Sequence, residues 1–248
     1  LYRQGLVQES PPVVVANLKM QDLFALKGAP LSQPMNLDEL RAQDIPEGQT
    51  AQVSQLNAID PLAHLVGRVQ MNFVERDTPS RVANLSRYID RNGGKVRSFT
   101  GELLWDYNNG LVTLNAPRAQ GVCGFLQKAG RLALRDVVIS SPMEYGAILI
   151  VPLDGQPLRT SRKMLLQVMS EDNNYGWSAP GTGKREIQSL GSAPINVRRM
   201  GGTVTFTRPD ARQLKVTPLD ANGYPAGKPI SGGTINLLPT VMYYLVER

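Results

Sequence analysis

From residue 61 onward the apolar positions fall in short runs separated by Gly, Pro, Asn and Asp. Thr203-Val204-Thr205-Phe206-Thr207 alternates strictly, the pattern of a strand with one face buried. Runs of the same length predict strands over 67–74, 131–134, 136–140, 145–151 and 162–169. Further runs do so over 195–199, 203–207, 214–219, 235–238 and 241–246. Asp154-Gly155 and Asp220-Ala221-Asn222-Gly223 supply turns between them, and 84–90 is ambiguous. The best organised stretch is 96–126. There Leu103, Leu104 and Trp105 lead into Asn108-Asn109-Gly110, and Leu111, Val112 and Leu114 lead out. Asn and Gly tolerate the positive φ of a tight turn, so this is a hairpin. Ala116-Pro117-Arg118 ends its second strand. A third begins at Gly121, where Gly121 and Gly124 point to a bulge or a close backbone contact.

The first sixty residues carry a different pattern. Val13-Val14-Val15 is a short strand, and Met20, Leu23, Phe24 and Leu26 suit a short helix over 20–26. A second helix is expected over 36–43, with Asn36 as N-cap and Glu39 as the acid of the first turn. Residues 44–54 are polar loop. The chain therefore reads as mainly β: an antiparallel β-sandwich over 61–248, preceded over 1–60 by an irregular connector with short helices.

Length and composition suit a globular protein with a sizeable core. No apolar run approaches the roughly 20 residues that span a bilayer, so no membrane span is expected. The net charge of +6 would favour an anionic partner. The basic residues are scattered, however, and their densest groups (Arg159, Arg162 and Lys163; Lys184 and Arg185; Arg198 and Arg199) accompany no nucleic-acid-binding motif. A solvated surface is the better reading, with no nucleic-acid partner. The chain opens on Leu1, as expected of a processed or excerpted sequence whose export signal would lie upstream.

Few residues suggest chemistry. The lone Cys123 precludes an intrachain disulfide and, between Val122 and Gly124, reads as a small buried hydrophobe. The lone His64 lies far from it in an apolar segment, and one His with one Cys gives no metal set. Gly181-Thr182-Gly183-Lys184 fails as a phosphate loop, because Ser178 stands where its first Gly belongs and Arg185 where Ser or Thr belongs. Glu102 and Asp106 sit at even spacing on one strand, about 13 Å apart, a poor fit to a glycosidase pair. No catalytic residue and no cofactor is assigned. Exposed aromatics could instead stack on sugars. Trp105, which shares a strand face with Tyr107, is expected in the core. The loop over 171–191 offers Asp172, Asn173, Asn174, Tyr175 and Trp177 as a candidate glycan-binding set, with Trp177 either a binding residue or a loop anchor.

Three segments carry a resemblance. Tyr2-Arg3-Gln4-Gly5, the stretch holding Ile59-Asp60-Pro61-Leu62 and Val66-Gly67-Arg68-Val69, and residues 100–126 are similar to the C-terminal part of large bacterial glycoside-hydrolase-like proteins. The pattern is Thr100, Gly101, Glu102, Trp105, Asp106, Gly110, Thr113, Pro117, Arg118, Gln120, Gly121, Gly124, Phe125 and Leu126. It extends through Glu144-Tyr145 and Ser161-Arg162-Lys163. In that family a (β/α)₈ catalytic barrel comes first and a β-rich tail follows. The resemblance implies an accessory, non-catalytic region of a carbohydrate-active enzyme, exported to the cell envelope or beyond. It would brace the barrel, of the same parent protein or another, or contact polysaccharide. For bracing, Leu18, Met20, Leu23, Phe24 and Leu26 form the apolar patch. The alternative is a structural or surface-assembly sandwich serving protein–protein contacts.

Overall fold

The computed structural model describes residues 1–25, 60–76, 78–181 and 185–248, except the side chain of Val82. Of the described residues strands account for 44% and helices for 8%, which makes the fold mainly β. The expected helix over 36–43 and the loop over 44–54 lie outside the described residues. The chain forms two compact units. One comprises Ser10–Asn92 and Val96–Thr100; the other, the sandwich unit, comprises Leu1–Glu9, Gly93–Lys95 and Gly101–Arg248.

In the first unit, β1 (Pro12–Lys19) is longer than the Val13-Val14-Val15 run suggests. It pairs in parallel with β2 (Arg68–Val74) and antiparallel with β3 (Arg81–Val82), so residues on both sides of position 60 share one sheet. Val13, Val14, Ala16 and Leu18 are buried, as are Ala63 and Val66 of the helix Ala63–Val66. The expected first helix forms over Met20–Phe24. The ambiguous 84–90 becomes turns ending in β4 (Ile89–Asp90), and β5 (Lys95–Arg97) has residues in each unit.

The sandwich unit opens with the expected hairpin, β6 (Leu103–Asp106) and β7 (Leu111–Ala116), followed by β8 (Ala119–Gly124). Then come β9 (Arg131–Ala133), β10 (Val137–Ser140), β11 (Gly146–Pro152) and β12 (Lys163–Ser170). Where a loop was expected over 171–191, β13 (Asp172–Tyr175) pairs with β14 (Ser192–Val197) as a separate two-stranded arm. The chain ends through β15 (Thr203–Phe206), β16 (Lys215–Leu219), β17 (Ile230–Ser231), β18 (Thr234–Asn236) and β19 (Tyr243–Glu247). From β6 onward in sequence, the strands of the larger sheet lie in the order β17-β16-β19-β12-β11-β8-β7-β6, and the smaller sheet is four-stranded, β18-β15-β10-β9. Every pairing within these two sheets is antiparallel.

The core lies between the sheets. Val122, Ile148, Ile150, Leu166, Tyr244 and Val246 come from the larger one; Val137, Ile139, Val204, Phe206 and Ile235 come from the smaller. Each such side chain stabilises the fold by about 1.5–3 kcal/mol on leaving water. Two polar ties cross the same space. Gln120 on β8 exchanges hydrogen bonds with Asp136 beside β10, Nε2 donating to Oδ2 at 2.7 Å and the Asp136 N–H donating to Oε1 at 2.9 Å. Arg208, buried after β15, donates to the carbonyls of Leu158 and Ser161 at 2.9 and 2.6 Å and to both oxygens of Asp210.

Two expectations are overturned. Cys123 is exposed: β8 turns Val122 inward, so the next side chain points out. Trp105 is half-buried and outside the core, its ring 5.2 Å from that of Tyr107 just after β6.

The hairpin turn spans residues 107–110, with Asp106 accepting from the backbone and side-chain nitrogens of Asn109 at 3.0 and 2.9 Å. Gly110 has φ +63°, and a Cβ there would lie 2.6 Å from the Phe125 ring. Gly110→Val is therefore expected to destabilise by about 1 kcal/mol or more, read as a lower thermal midpoint; an unchanged midpoint would show the turn is built differently.

Three carboxyls of this unit are held below their ordinary value. For Asp210 the Arg208 hydrogen bond is the leading cause, with burial opposing. For Asp154 burial pushes up, and donors from Arg162 and Ser161 more than offset it. Asp106 follows the same pattern, with Asn109 and Lys95 lowering it. A folded value below the unfolded one, about 3.9 for Asp, gives stability present above that value and lost as pH falls through the folded value. The urea midpoint should thus drop below about pH 4, and Asp210→Asn should flatten that drop; equal slopes in both proteins would acquit Asp210.

Candidate functional site

The antiparallel register aligns Gly124, Gly146 and Ser170 in a row across β8, β11 and β12. Three neighbouring residues therefore emerge together at one end of the larger sheet: Phe125 after β8, Tyr145 before β11 and Glu171 after β12. The glycines permit the row. A Cβ on Gly124 would lie 2.0 Å from the Gly110 carbonyl oxygen, and one on Gly146 2.6 Å from that of Met169. The backbones close up there and the large side chains stand just beyond. Phe125 and Tyr145 meet edge to face, centroids 5.4 Å apart at 76°. Lys128 Nζ lies 5.0 Å from the Phe125 centroid, so Phe125 is engaged within the protein. Tyr145 keeps 43% of its surface exposed.

The arm brings the third ring. Every residue of β13 and β14 is exposed. Gly176, at φ +76°, turns the chain so that the Trp177 N–H donates to the Asn174 carbonyl at 3.0 Å, leaving Trp177 36% exposed. Arg198 holds the base of the arm. Its Nη1 donates to Glu144 at 2.9 Å and Glu171 at 2.5 Å, its N–H to the Glu171 carbonyl, and its own carbonyl accepts from Ser170 Oγ. The Glu144 hydrogen bond and the Glu171 charge push the Arg198 guanidinium upward, in the direction of its charged form. Between sheet end and arm lies an open depression of about 590 Å³, lined by Phe125, Tyr145 and Trp177 together with polar side chains.

Of the five residues singled out in the sequence, Asp172, Asn173 and Trp177 line this depression. Asn174 and Tyr175 do not. Asn174 Nδ2 donates to the Leu190 carbonyl at 2.8 Å and ties the arm's own loop, while Tyr175 stands 64% exposed. Phe125, Tyr145 and Arg198 were missed. Phe125 and Glu144-Tyr145 do belong to the pattern behind the family resemblance, which was the available signal.

Other candidates are otherwise engaged. Glu102 is buried and accepts the Gln8 N–H at 2.7 Å, and Asp106 caps its turn. His64 and Cys123 are exposed on separate elements. Glu144 and Glu171, on one nitrogen, are no further apart than a retaining pair at about 5.5 Å. Yet such a pair must face the sugar, and Arg198 occupies both. Among the described residues no three His, Cys, Asp or Glu side chains converge to hold a metal, and no helix is long and apolar enough to cross a membrane. In the proposed brace patch Leu18 is buried in its own unit, Leu26 lies outside the described residues, and Leu23 and Phe24 are exposed.

Gly191 fixes where Trp177 sits. At φ +67°, its Cβ would lie 2.5 Å from the Tyr175 carbonyl oxygen and 2.7 Å from the Trp177 nitrogen. In a Trp105→Phe background, Gly191→Ala should raise quenching of Trp177 fluorescence by iodide while leaving the thermal midpoint nearly unchanged, because the arm lies outside the core. Unaltered quenching would mean that Gly191 does not position the ring.

In comparisons with known proteins, no family model, no curated protein and no solved structure matches this chain.

Proposed function

We propose that this chain is a non-catalytic accessory β-sandwich region of a carbohydrate-active enzyme, and that it contacts glycan at the sheet-end depression. One observation carries the reading: Tyr145 and Trp177 stay exposed at an open depression otherwise lined largely by polar side chains. Sugar rings present C–H faces and a girdle of hydroxyls, so they pair with aromatic surface and hydrogen-bonding side chains together. The family resemblance agrees with it and supplies the setting, an exported polysaccharide hydrolase whose catalytic barrel lies in the same parent protein or a partner. A second reading, bracing of that barrel or another protein contact, is favoured by Phe24, 76% exposed beside Leu23 on a five-residue helix.

Affinity electrophoresis against a panel of polysaccharides tests the first reading, with wild type and Trp177→Ala side by side. Retardation by at least one polysaccharide, abolished in the variant, is expected. No retardation on any of them, or retardation indifferent to Trp177, would leave the bracing reading in its place.

A further inference from the structure

We infer that the depression takes an uncharged glycan and discriminates against uronate and sulfated ones; this rests on the glycan reading above. Among the described residues the lining carries two acids, Glu171 and Asp172, and two bases, Arg185 and Arg198, whose charges cancel. They are not equally available. Arg198 is committed to Glu144 and Glu171 through one nitrogen, and that clamp joins the arm to the sheet end. Arg185 and Asp172 have no ion-pair or side-chain hydrogen-bond partner among the described residues. One free donor and one free acceptor stand beside exposed aromatic surface.

That set matches a pair of neighbouring hydroxyls, each of which both gives and takes a hydrogen bond. A sugar carboxylate or sulfate would meet Asp172, with Glu144 and Glu171 close by; among the described residues only Arg185 and Lys128, whose Nζ lies 5.0 Å from the Phe125 ring centroid, stand unpaired against them, so with Arg198 the local charge is still balanced. Like charges placed together in a recognition site disfavour binding. The whole chain's +6 pulls the other way, toward polyanions. Its reach is short, since exposed charges are screened beyond about 10 Å at 0.1 M salt. The basic residues are scattered, so at the depression the local balance decides.

The test compares neutral polysaccharides (a glucan, a xylan, a mannan) with a polyuronate and a sulfated glycan. Each is run at about 0.01 M and about 1 M ionic strength, where the screening length falls from about 30 Å to about 3 Å. Expected is binding to a neutral polysaccharide, lost in Trp177→Ala, weakened about tenfold in Asp172→Asn and in Arg185→Gln, and changed less than about twofold by salt. Binding confined to the charged glycans, steeply weakened by salt and dependent on Trp177, would overturn the inference while leaving a glycan site. No binding to any glycan would overturn the glycan reading itself. Salt-sensitive polyanion binding that persists in Trp177→Ala beside Trp177-dependent neutral binding would support the inference, because the two would then use different surfaces.

Discussion

The Gln120–Asp136 pair is what the sandwich unit is built around. Gln120 is 0% exposed and exchanges two hydrogen bonds with Asp136 across the sheets. A buried amide left without partners costs about 1–3 kcal/mol, and a buried carboxylate more. The sheets can therefore stand only at the separation and offset that serve this pair. Asp136 remains incompletely served, its Oδ1 without a hydrogen bond and 3.9 Å from Arg159 Nη1, which makes Gln120 harder to replace. Gly121 follows at once, where a Cβ would lie 2.3 Å from the Ile148 carbonyl oxygen. Fixing Gln120 thus fixes how β8 meets β11, and through that register the row of Gly124, Gly146 and Ser170 that sets up the depression.

Seen this way, the pattern behind the family resemblance consists largely of residues that hold the fold. Glu102 receives the N-terminal segment through Gln8, Arg118 donates to the Gly5 carbonyl, Asp106 and Gly110 build the turn, and Gln120, Gly121 and Gly124 set the sheet. Phe125 and Tyr145 also reach the depression, and Phe125 arrives there because Gly124 lets β8 close against the Gly110 carbonyl.

The sandwich was legible wherever one face of a strand is buried. The strict alternation over 203–207 became β15, with Val204 and Phe206 in the core. Where that cause is missing, so was the signal. β13 buries neither face, so hydrophobic alternation has nothing to mark and 171–191 read as loop; the equally exposed β14 was marked only by the Ile195–Val197 run within the strand expected over 195–199. Val122-Cys123-Gly124 read as one apolar run because composition cannot show that consecutive strand residues face opposite ways until the pairing is known. The site divides along the same line. Asp172, Asn173 and Trp177 lie within a few residues of one another and were found together. Phe125 and Tyr145 meet only through the β8–β11 pairing, a contact no local spacing reveals.

The walls of the depression consequently differ in firmness. Phe125 and Tyr145 leave strands whose neighbouring side chains, Leu126 and Ile148, are in the core, and they move only if the sheets do. Trp177 hangs on an arm with no buried strand residue, held at its base by Arg198 and along its length by backbone pairing. Elements without buried apolar contacts open at lower free energy than the core, so the arm samples more positions than the sheet end opposite it. A ligand resting on both walls must order the arm, and the entropy lost in doing so is subtracted from what stacking contributes. The charges at the arm's base limit that loss, since Arg198 ties the arm to Glu144 and Glu171 without occupying the aromatic surface itself.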